Sequence, residues 1–312
     1  MNKEILKEGL KIEPEITFLS LKKFIKNCCE NFKREGIILG LSGGIDSSLT
    51  VYLCKEAVGE KNVFALILPE IDSNKDNIED AIQFAQKLNI KYKIIEITKY
   101  LKNFSIYNLF FLNKLIIPKK IKPIIVKKLS QLYRQEKNKP SFLITLNGED
   151  KKWNKIIKKI NTYYRFKHRL RMVLLYLFAD LENRLVVGCT NKTEYLIGFF
   201  VKYGCDDACD IMPLLSLYKT QVKELYKYLG LPKKILEKKP SPDLLPGIFD
   251  EEVIGLDYED LDLILYGLEK GLAAWQIAEV LKIDKEKVDY VSFLINKSDY
   301  CRCKLIKYGN YN

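Results

Sequence analysis

The chain has 312 residues, which is enough for one large domain or two small ones. Hydrophobic residues make up 47% and charged residues 29%. This globular composition excludes an intrinsically disordered chain, a collagen-like repeat and a small disulfide scaffold. The net charge of +12 is concentrated between Lys99 and Asn161, where sixteen Lys and Arg stand against three Asp and Glu. A basic charge of this size is typical of proteins that bind nucleic acids or anionic surfaces.

The sequence contains no apolar stretch long enough to span a membrane and no apolar signal core at its start. Its eight cysteines are too few for a secreted disulfide framework. We therefore expect a cytoplasmic protein with reduced thiols. The single histidine, His168, lies in a strongly basic helical pattern with no acidic partner nearby. A single histidine excludes a multi-histidine metal site, and the lack of an acidic partner nearby in the sequence argues against a Ser-His-Asp triad.

The first hundred residues alternate between helical patterns and short apolar runs. The helix predicted at 14–34 places five apolar residues on one face: Ile16, Leu19, Phe24, Ile25 and Cys28. Buried strands are predicted at 36–41 and 63–68 and a third strand at 92–97, with helices at 47–57 and 77–88 between them. This β-α-β-α-β order predicts a parallel sheet with right-handed crossovers.

Regular patterns resume after residue 163. A helix is predicted at 164–180 with four buried residues, Leu170, Val173, Leu174 and Leu177. A strand at 185–188, helices at 191–199 and 217–229, and a helical region from about 257 to 312 follow. We therefore predict one α/β domain over residues 1–312, with a Rossmann-like parallel sheet, helices on both of its faces and a helical C-terminal region.

Residues 99–161 interrupt this order with mixed apolar and basic residues and three prolines. No single period covers the segment, so we interpret it as a partly helical insertion with one helical fragment at 124–133. A solvated, lysine-rich flap is the simplest interpretation. Aromatic residues between basic residues also occur on nucleic-acid surfaces. Nucleic acid therefore stays an alternative partner that the pattern does not favour.

The segment Gly40-Leu41-Ser42-Gly43-Gly44-Ile45-Asp46-Ser47-Ser48 lies between a predicted strand and a predicted helix. Glycines let the backbone approach an anion closely, and helix N-terminal amides donate to it. A Walker A loop would require a lysine here, whereas Asp46 places a carboxylate among the phosphate donors. That placement is favourable only with a divalent cation between the two, so Mg²⁺ is implied. The predicted nucleotide-binding residues are Gly40, Ser42, Gly43, Gly44, Asp46, Ser47 and Ser48.

The loop resembles the Ser-Gly-Gly-x-Asp-Ser signature of ATP pyrophosphatases of the adenine-nucleotide alpha-hydrolase type. Later segments narrow this resemblance. His168-Arg169-Leu170-Arg171-Met172 is similar to the Ala-Arg-x-Arg-Met helix of NAD synthetases, and residues 188–194 are similar to their Gly-Thr-x-Asn-Lys-Ser-Glu stretch. Residues 198–204, 210–213, 217–222, 239–247 and 250–251 also match. The chain therefore resembles the ammonia-dependent NAD synthetases from about residue 20 to 305, outside the insertion.

The resemblance implies a reaction and its substrates. Mg-ATP adenylylates the nicotinate carboxylate of nicotinic acid adenine dinucleotide and releases pyrophosphate, and ammonia then displaces AMP to give NAD⁺. A homodimer is also implied. Only about 40 residues precede the glycine loop, too few for a glutaminase domain. Free ammonia, or a separate partner that supplies it, is therefore expected.

Site residues follow from the same resemblance. Asp46 and Glu194 are the expected Mg²⁺ ligands, although a helix N-terminal acid is the alternative for Glu194. Lys219 matches the phosphate-binding lysine, and Lys202 offers a cation where charge accumulates on phosphate or adenylate. The remaining expected contacts are Thr190 for the nucleoside, Asp206 and Asp210 for the acceptor, and Arg169 and Arg171 for either the dinucleotide or a structural salt bridge.

Four positions depart from the family pattern. The acidic loop at 202–210 is one residue longer, with Cys205 interpreted as the insertion. Cys189 replaces a threonine, Ile248 replaces a glutamine, and Cys301 lies in an altered C-terminal motif. The family uses these regions to bind its dinucleotide. The departures therefore concern the acceptor substrate more than the ATP chemistry.

Four cysteines raise a separate alternative. Cys205, Cys209, Cys301 and Cys303 could hold a metal or an iron–sulfur cluster if the C-terminal tail approaches the acidic loop. Their C-x3-C and C-x-C spacings are not those of common zinc sites, so free thiols are favoured.

Two other functions compete with NAD synthesis. One is a related adenylating amidotransferase or sulfurtransferase that acts on a different acceptor, such as tRNA or a small carboxylic acid. The other is a regulatory nucleotide-binding protein without catalysis. The retained Asp46, Glu194 and Lys219 argue against the second, because simple binding needs no such cluster.

Overall fold

The computed structural model describes residues 3–110, 121, 124–125, 127–128, 131, 140, 142, 154–241 and 249–303. Its sheet has four strands, β1 (Gly36–Gly40), β2 (Val63–Ile67), β3 (Lys91–Ile94) and β4 (Arg184–Val186). All neighbouring strands are parallel, in the spatial order β3-β2-β1-β4. The predicted Rossmann-like parallel sheet is therefore confirmed, with strand ends that differ from the predicted ones by at most three residues.

The strand order creates a crevice at one edge of the sheet. β2 and β3 lie on one side of β1, and β4 lies on the other. Chain connections leave the carboxyl ends of β1 and β4 in opposite directions. Ligands of open α/β sheets bind at such a switch point. The glycine loop after β1 and the segment after β4 therefore face the same crevice.

Fourteen helices surround the sheet in the described part of the chain. In chain order they are α1 (Lys3–Leu10), α2 (Pro14–Asn31), α3 (Ile45–Val58), α4 (Lys75–Lys87), α5 (Thr98–Asn103), α6 (Asn154–Leu181), α7 (Lys192–Ile197), α8 (Lys219–Tyr228), α9 (Lys233–Leu236), α10 (Asp250–Ile254), α11 (Tyr258–Glu269), α12 (Ala274–Leu281), α13 (Lys285–Lys297) and α14 (Asp299–Arg302). The helix predicted to begin at residue 164 begins ten residues earlier, inside the predicted insertion.

β1 and β2 are buried on both faces, as predicted, whereas the edge strand β3 is largely exposed. Ile37 and Leu39 point into a core that α2, α3, α4 and α8 cover. Ile38 points to the other face, where it packs with Leu175 and Ala179 of α6. Side chains alternate along a strand, so a strand buried on both faces must be apolar throughout. This requirement explains the uninterrupted apolar runs in the sequence.

The face predicted for α2 is partly wrong, because Ile25 is buried and Cys28 packs against the core, but the other three predicted residues are exposed. Ile16 and Leu19 are 63% and 53% exposed, whereas Leu21, Ile25 and Cys29 are buried. The buried residues recur every four positions, and Ile16 and Leu19 lie on the opposite side of the helix. Apolar residues surround most of this helix, so periodicity alone could not identify the packed side.

The predicted buried face of α6 is partly wrong. Leu170 and Leu174 pack against the core, as predicted, but Val173 and Leu177 are 54% and 49% exposed. Leu175 and Ala179 are buried instead, and the buried stripe also contains the fully buried Lys167. Lysine is normally found at the surface, so its burial could not be expected from an apolar pattern.

A second core lies outside the sheet. Helices α11, α12 and α13 pack with α1 around residues such as Leu6, Leu261, Ile277 and Val291. The two helices predicted between residues 274 and 295 are therefore present as α12 and α13. Their apolar faces are used in this packing, which makes them part of the fold.

Most of the predicted insertion at 99–161 lies outside the described residues. Its described parts are α5, a 3-10 turn at Ile106–Leu109 and the first turns of α6. Within the helical fragment predicted at 124–133, the described residues are helical. No helix in the described ranges is long and apolar enough to cross a membrane.

A buried ion network fixes α6 to the loop after β2. Lys167 Nζ lies 2.8 Å from Glu70 Oε1 and 3.0 Å from Asp72 Oδ2, and all three side chains are buried. Tyr107 donates to Glu70 Oε2 at 2.7 Å, and Tyr163 donates to Asp72. The network therefore connects α6, the β2 loop and the 3-10 turn of the insertion.

Lys167→Ala is expected to lower the free energy of unfolding by about 3–5 kcal/mol, because it leaves two buried carboxylates without a cation. Urea denaturation at neutral pH measures the loss. The control is Lys285→Ala, since Lys285 pairs with Asp289 on the exposed surface and its loss should cost less than about 1 kcal/mol. Equal losses in the two variants would contradict the role of the network.

Candidate active site

Two serine hydroxyls hold the glycine loop against the start of α3. The hydroxyls of Ser42 and Ser47 lie 2.9 Å apart, and Gly44 N donates to Ser42 Oγ at 3.2 Å. Gly43 has a φ of +79°, and a Cβ there would collide with the backbone carbonyl of Asn77. Only glycine fits this position. The loop thus presents the first turn of α3, whose amides have no acceptor within the helix, to the crevice.

The predicted nucleotide-binding residues differ in accessibility. Ser42 is exposed and Asp46 is partly exposed, whereas Ser47 and Ser48 are buried. The Ser48 hydroxyl has no hydrogen-bond partner among the described residues. A Cβ on Gly40 would meet no atom within 4 Å, so open space lies beside the end of β1. The nucleotide contacts of these residues stay predictions.

Asp46, Glu194 and Lys219 meet in the crevice. Lys219 Nζ lies 2.6 Å from Asp46 Oδ2 and 3.2 Å from Glu194 Oε1. They come from the first turns of α3, α7 and α8, so three helix N-termini converge here. The predicted metal ligands and the predicted phosphate-binding lysine therefore lie in direct contact.

Asn191 connects two of these helices. Its Oδ1 accepts the Glu194 amide at 3.0 Å and caps α7, and its Nδ2 donates to Asp46 Oδ1 at 2.9 Å. Glu194 Oε2 accepts the Asn191 amide at 3.4 Å, while Oε1 contacts Lys219. Glu194 is thus a helix N-terminal acid that also contacts Lys219, and its role as a Mg²⁺ ligand stays a prediction.

Asp262 holds the residues next to Lys219 and Glu194 in place through hydrogen bonds, and it was not predicted from the sequence. Thr193 donates to Asp262 Oδ1 at 2.5 Å, and the amide and hydroxyl of Thr220 donate to Oδ2 at 2.8 Å each. Thr193 Oγ1 also accepts the Lys219 amide at 2.8 Å. Burial raises the pKa of Asp262 to about 6. The available signal was a single carboxylate within the apolar run 261–265.

Asp250 is a further carboxylate beside Lys219, and it was not among the predicted site residues. Tyr258 donates to Asp250 Oδ2 at 3.0 Å, while Oδ1 is buried with no partner among the described residues. Burial raises the pKa of Asp250 to about 6, although Lys219 and the Tyr258 hydrogen bond oppose the rise. The raised pKa shows that burial outweighs the attraction of Lys219 at this carboxyl group.

The electrostatics of the cluster suit a divalent cation. Burial raises the pKa of Glu194 despite the attraction of Lys219. Burial alone would lower the pKa of Lys219, but the carboxylates of Asp46 and Glu194 outweigh it and raise the pKa. Three carboxylates therefore share one ammonium. Carboxylate oxygens are the ligands that Mg²⁺ prefers, so the Asp46 and Glu194 carboxylates, which both contact Lys219, have the right chemistry for this ion.

Several predicted acceptor residues have internal partners. Asp210 accepts the Val186 amide at 2.8 Å and the Tyr176 hydroxyl at 3.0 Å, which fixes the end of β4. Arg171 Nε donates to the carbonyl of Leu68 at 3.1 Å. For these two residues the structure displays a supporting role, and substrate contact stays a prediction.

Lys202 and Arg169 lie together near the C-terminal tail. Arg169 Nη2 donates to the Lys202 carbonyl at 3.2 Å. Lys202 Nζ donates to the Tyr300 carbonyl at 2.6 Å and to the carbonyl of Cys303. The tail therefore reaches the acidic loop, as the cysteine hypothesis required. Thr190, the predicted nucleoside contact, is buried and donates to the Asp206 carbonyl.

One prediction about His168 is wrong, and the alternative of a four-cysteine metal site is not supported in the described ranges. His168 does have an acidic partner, because its Nδ1 lies 2.6 Å from Asp206 Oδ2. The sequence separates them by 38 positions, so only the fold could reveal the pair. The four cysteines do not converge, because the single metal-type group in the described ranges joins Cys205 to His168 and Asp206. Ile248 and Gly247 lie outside the described residues.

Asp250→Asn is expected to flatten the pH dependence of stability in the metal-free protein. The folded pKa of about 6 exceeds the ordinary 3.8, so the proton on Asp250 stabilises the fold below about pH 4. That contribution is lost as the pH rises through 6. Between pH 5 and pH 8 the wild type should lose about 1 kcal/mol relative to the variant.

Urea unfolding in EDTA at these pH values measures the difference. The amide side chain of the Asp250→Asn variant keeps an oxygen that can accept the Tyr258 hydrogen bond. Asp289→Asn is the control, because Asp289 is half exposed and its pair with Lys285 lies at the surface. Parallel pH curves for the wild type and Asp250→Asn would contradict the prediction.

The chain is similar to known proteins along almost its whole length. Residues 17–115 and 118–304 match the family described as NAD synthase. The NH(3)-dependent NAD(+) synthetase of Thermotoga maritima is 42% identical over 284 residues, which cover 91% of this chain and 95% of that protein.

Solved structures give the same result. An NH3-dependent NAD synthetase from Campylobacter jejuni has a TM-score of 0.66 and 28% identity, and the match covers 95% of this chain and 99% of that one. The NMN synthetase from Francisella tularensis has a TM-score of 0.69 and 27% identity, with coverage of 96% and 100%. The resemblance found in the motifs is thus confirmed, and the chain belongs to the NAD synthase family.

Proposed function

We propose that this chain is a ligase that converts nicotinic acid adenine dinucleotide to NAD⁺, with ATP and ammonia as co-substrates. The carrying observation is the contact of Asp46, Glu194 and Lys219 at the switch point of the sheet. Open space beside Gly40 adjoins the glycine loop. A relative that is 42% identical over almost the whole chain is named for ammonia-dependent NAD synthesis.

The reaction has two steps. A nicotinate oxygen forms a bond to the α-phosphorus of ATP, and the bond to pyrophosphate breaks. Ammonia then attacks the acyl carbon, loses a proton and displaces AMP. Lys219 keeps its proton because the neighbouring carboxylates raise its pKa, so it supplies a fixed positive charge where negative charge develops.

Mg²⁺ is the proposed metal, held by Asp46 and Glu194 with Asp250 close by. When bound with ATP, it supplies charge neutralisation for the departing pyrophosphate. The protein residues position the reactants. The first-turn amides of α3 face the phosphates, and Asn191 holds Asp46 in place through its 2.9 Å hydrogen bond.

The acceptor side is proposed from the acidic loop. Arg169 contacts the Lys202 carbonyl at the start of the acidic loop, so the two residues offer two cations there, which suits an anionic dinucleotide. Asp210 and Arg171 would act mainly by positioning the strand end and the β2 loop. The similarity to an NMN synthetase makes the mononucleotide a second candidate acceptor, and the higher identity to NAD synthetases favours the dinucleotide.

Purified protein with Mg-ATP, ammonium and nicotinic acid adenine dinucleotide should form NAD⁺, AMP and pyrophosphate in equal amounts. Liquid chromatography of the nucleotides measures all three. Nicotinic acid mononucleotide and bulk tRNA are tested in parallel. Pyrophosphate release with another acceptor and none with the dinucleotide would assign the alternative adenylating function. No turnover with any acceptor, while ATP still binds, would leave the regulatory function.

Asp46→Asn and Glu194→Gln should each lower kcat by about 10²–10³-fold, because each removes a proposed Mg²⁺ ligand and so weakens the charge neutralisation of the departing pyrophosphate. Glu286→Gln is a matched control, since Glu286 is also a first-turn acid but is exposed on α13. Unchanged kcat in both site variants would refute the metal role.

We also propose a homodimer in the cytoplasm. Helix α6 exposes Val173, Leu177 and Leu181 at intervals of four residues, an apolar stripe that suits a second copy of the chain. All eight cysteines are free thiols, which fits a reducing compartment.

Light scattering should give about twice the chain mass of 36.4 kDa. Val173→Glu with Leu177→Glu should shift the protein to monomer, because two charges would enter the interface. Tyr228→Glu, at an exposed position of α8, is the control. A dimer that survives the double substitution would place the interface elsewhere.

A further inference from the structure

Three metal-ligating side chains meet outside the carboxylate cluster. His168 lies on α6, and Cys205 and Asp206 lie in the acidic loop. Cys205 Sγ lies 3.3 Å from His168 Nδ1 and 3.6 Å from Asp206 Oδ1, and His168 Nδ1 lies 2.6 Å from Asp206 Oδ2. The nucleotide chemistry described above uses neither His168 nor Cys205.

Backbone geometry holds the loop against α6. Gly204 approaches the helix so closely that a Cβ on it would lie 2.9 Å from His168 Cβ. Cys205 N donates to the His168 carbonyl at 3.2 Å. On the other side of the loop, the Thr190 hydroxyl donates to the Asp206 carbonyl. The positions of the three ligands are therefore set by the fold.

The separations suit a tetrahedral cation. Zinc bonds of about 2.3 Å to sulfur and about 2.0–2.2 Å to nitrogen and oxygen place neighbouring ligand atoms roughly 3.3–3.6 Å apart. The two distances from Cys205 Sγ already have these values. The contact between His168 and Asp206 is a hydrogen bond, which would lengthen as the cation replaces its proton.

The burial of this group also suits a bound cation. The His168 side chain is 12% exposed and that of Asp206 is 35% exposed, so the group is mostly buried with a solvent opening at the carboxylate. His168 Nε2 is buried with no partner among the described residues. The polar contacts of the imidazole thus lie at Nδ1, where the thiol and carboxylate converge.

The ligand types separate this group from the Mg²⁺ cluster. Asp46, Glu194 and Asp250 offer only oxygens, whereas this group offers nitrogen, sulfur and oxygen. Nitrogen and thiolate ligands select zinc over magnesium. Cys205 is also a departure from the family pattern, since it is the residue interpreted as inserted in the acidic loop.

We propose that His168 Nδ1, Cys205 Sγ and the Asp206 carboxylate bind one Zn²⁺ ion. When the ion binds, the Cys205 thiol loses its proton to solvent, His168 binds through Nδ1 as the neutral imidazole with its ring proton on Nε2, and the ion remains divalent. The fourth position is open toward the exposed side of Asp206. The ion would fix the acidic loop, which carries the proposed acceptor residues, to α6.

Co²⁺ is the spectroscopic probe for this site. Titration of the full, EDTA-treated chain should produce a thiolate-to-cobalt charge-transfer band that saturates at one ion per chain, and Zn²⁺ should abolish it. Cys205→Ser should eliminate the band. His168→Gln should weaken cobalt binding by more than the roughly 10–100-fold that loss of an outer-shell partner causes.

Two controls isolate the site. Cys209→Ser changes a neighbouring thiol outside the group, and Asp46→Asn changes the oxygen cluster, so both should keep the band. Circular dichroism verifies that each variant is folded. A wild type without the band, or a band that persists in Cys205→Ser, would overturn the proposal. These outcomes are independent of NAD⁺ synthesis, so failure of the proposed reaction is distinguishable.

Discussion

The candidate active site depends on the burial of one ammonium group among several carboxylates. Lys219 is almost fully buried, contacts Asp46 and Glu194, and lies close to Asp250. Its charge makes the close approach of these acids possible, because like charges in a poorly solvated site repel strongly. Its backbone is held through Thr193, which Asp262 orients. The start of α8 is thus fixed before any ligand binds.

A second buried ammonium group positions α6. Lys167 is buried with Glu70 and Asp72, and it connects α6 to the loop after β2. His168, the next residue, faces the acidic loop. One helix therefore links the β2 loop to the acidic loop, and both lie at the carboxyl side of the sheet. Pairing of buried charges determines where α6 lies.

The signals that predicted the fold correctly are local. A strand buried on both faces must be apolar, so the strand at 36–41 could be predicted from its apolar run. A glycine-rich turn between a strand and a helix marks an anion loop, and Gly43 in that turn indeed has a positive φ. The sequence did not correctly predict which residues of α2 and α6 are buried. α6 buries Lys167, and the rule that lysine faces solvent fails when the fold provides two carboxylates.

By itself, the sequence determined the strand and helix order, the anion loop and the motifs that resemble NAD synthetases, because each of these depends on neighbours along the chain. Tertiary structure alone decided which distant residues meet. Asp46, Glu194 and Lys219 come together because the strand order places the ends of β1 and β4 at one crevice. The Asp250 and Asp262 carboxyls and the His168–Asp206 pair acquire their properties from burial and from partners remote in sequence, which no local pattern encodes.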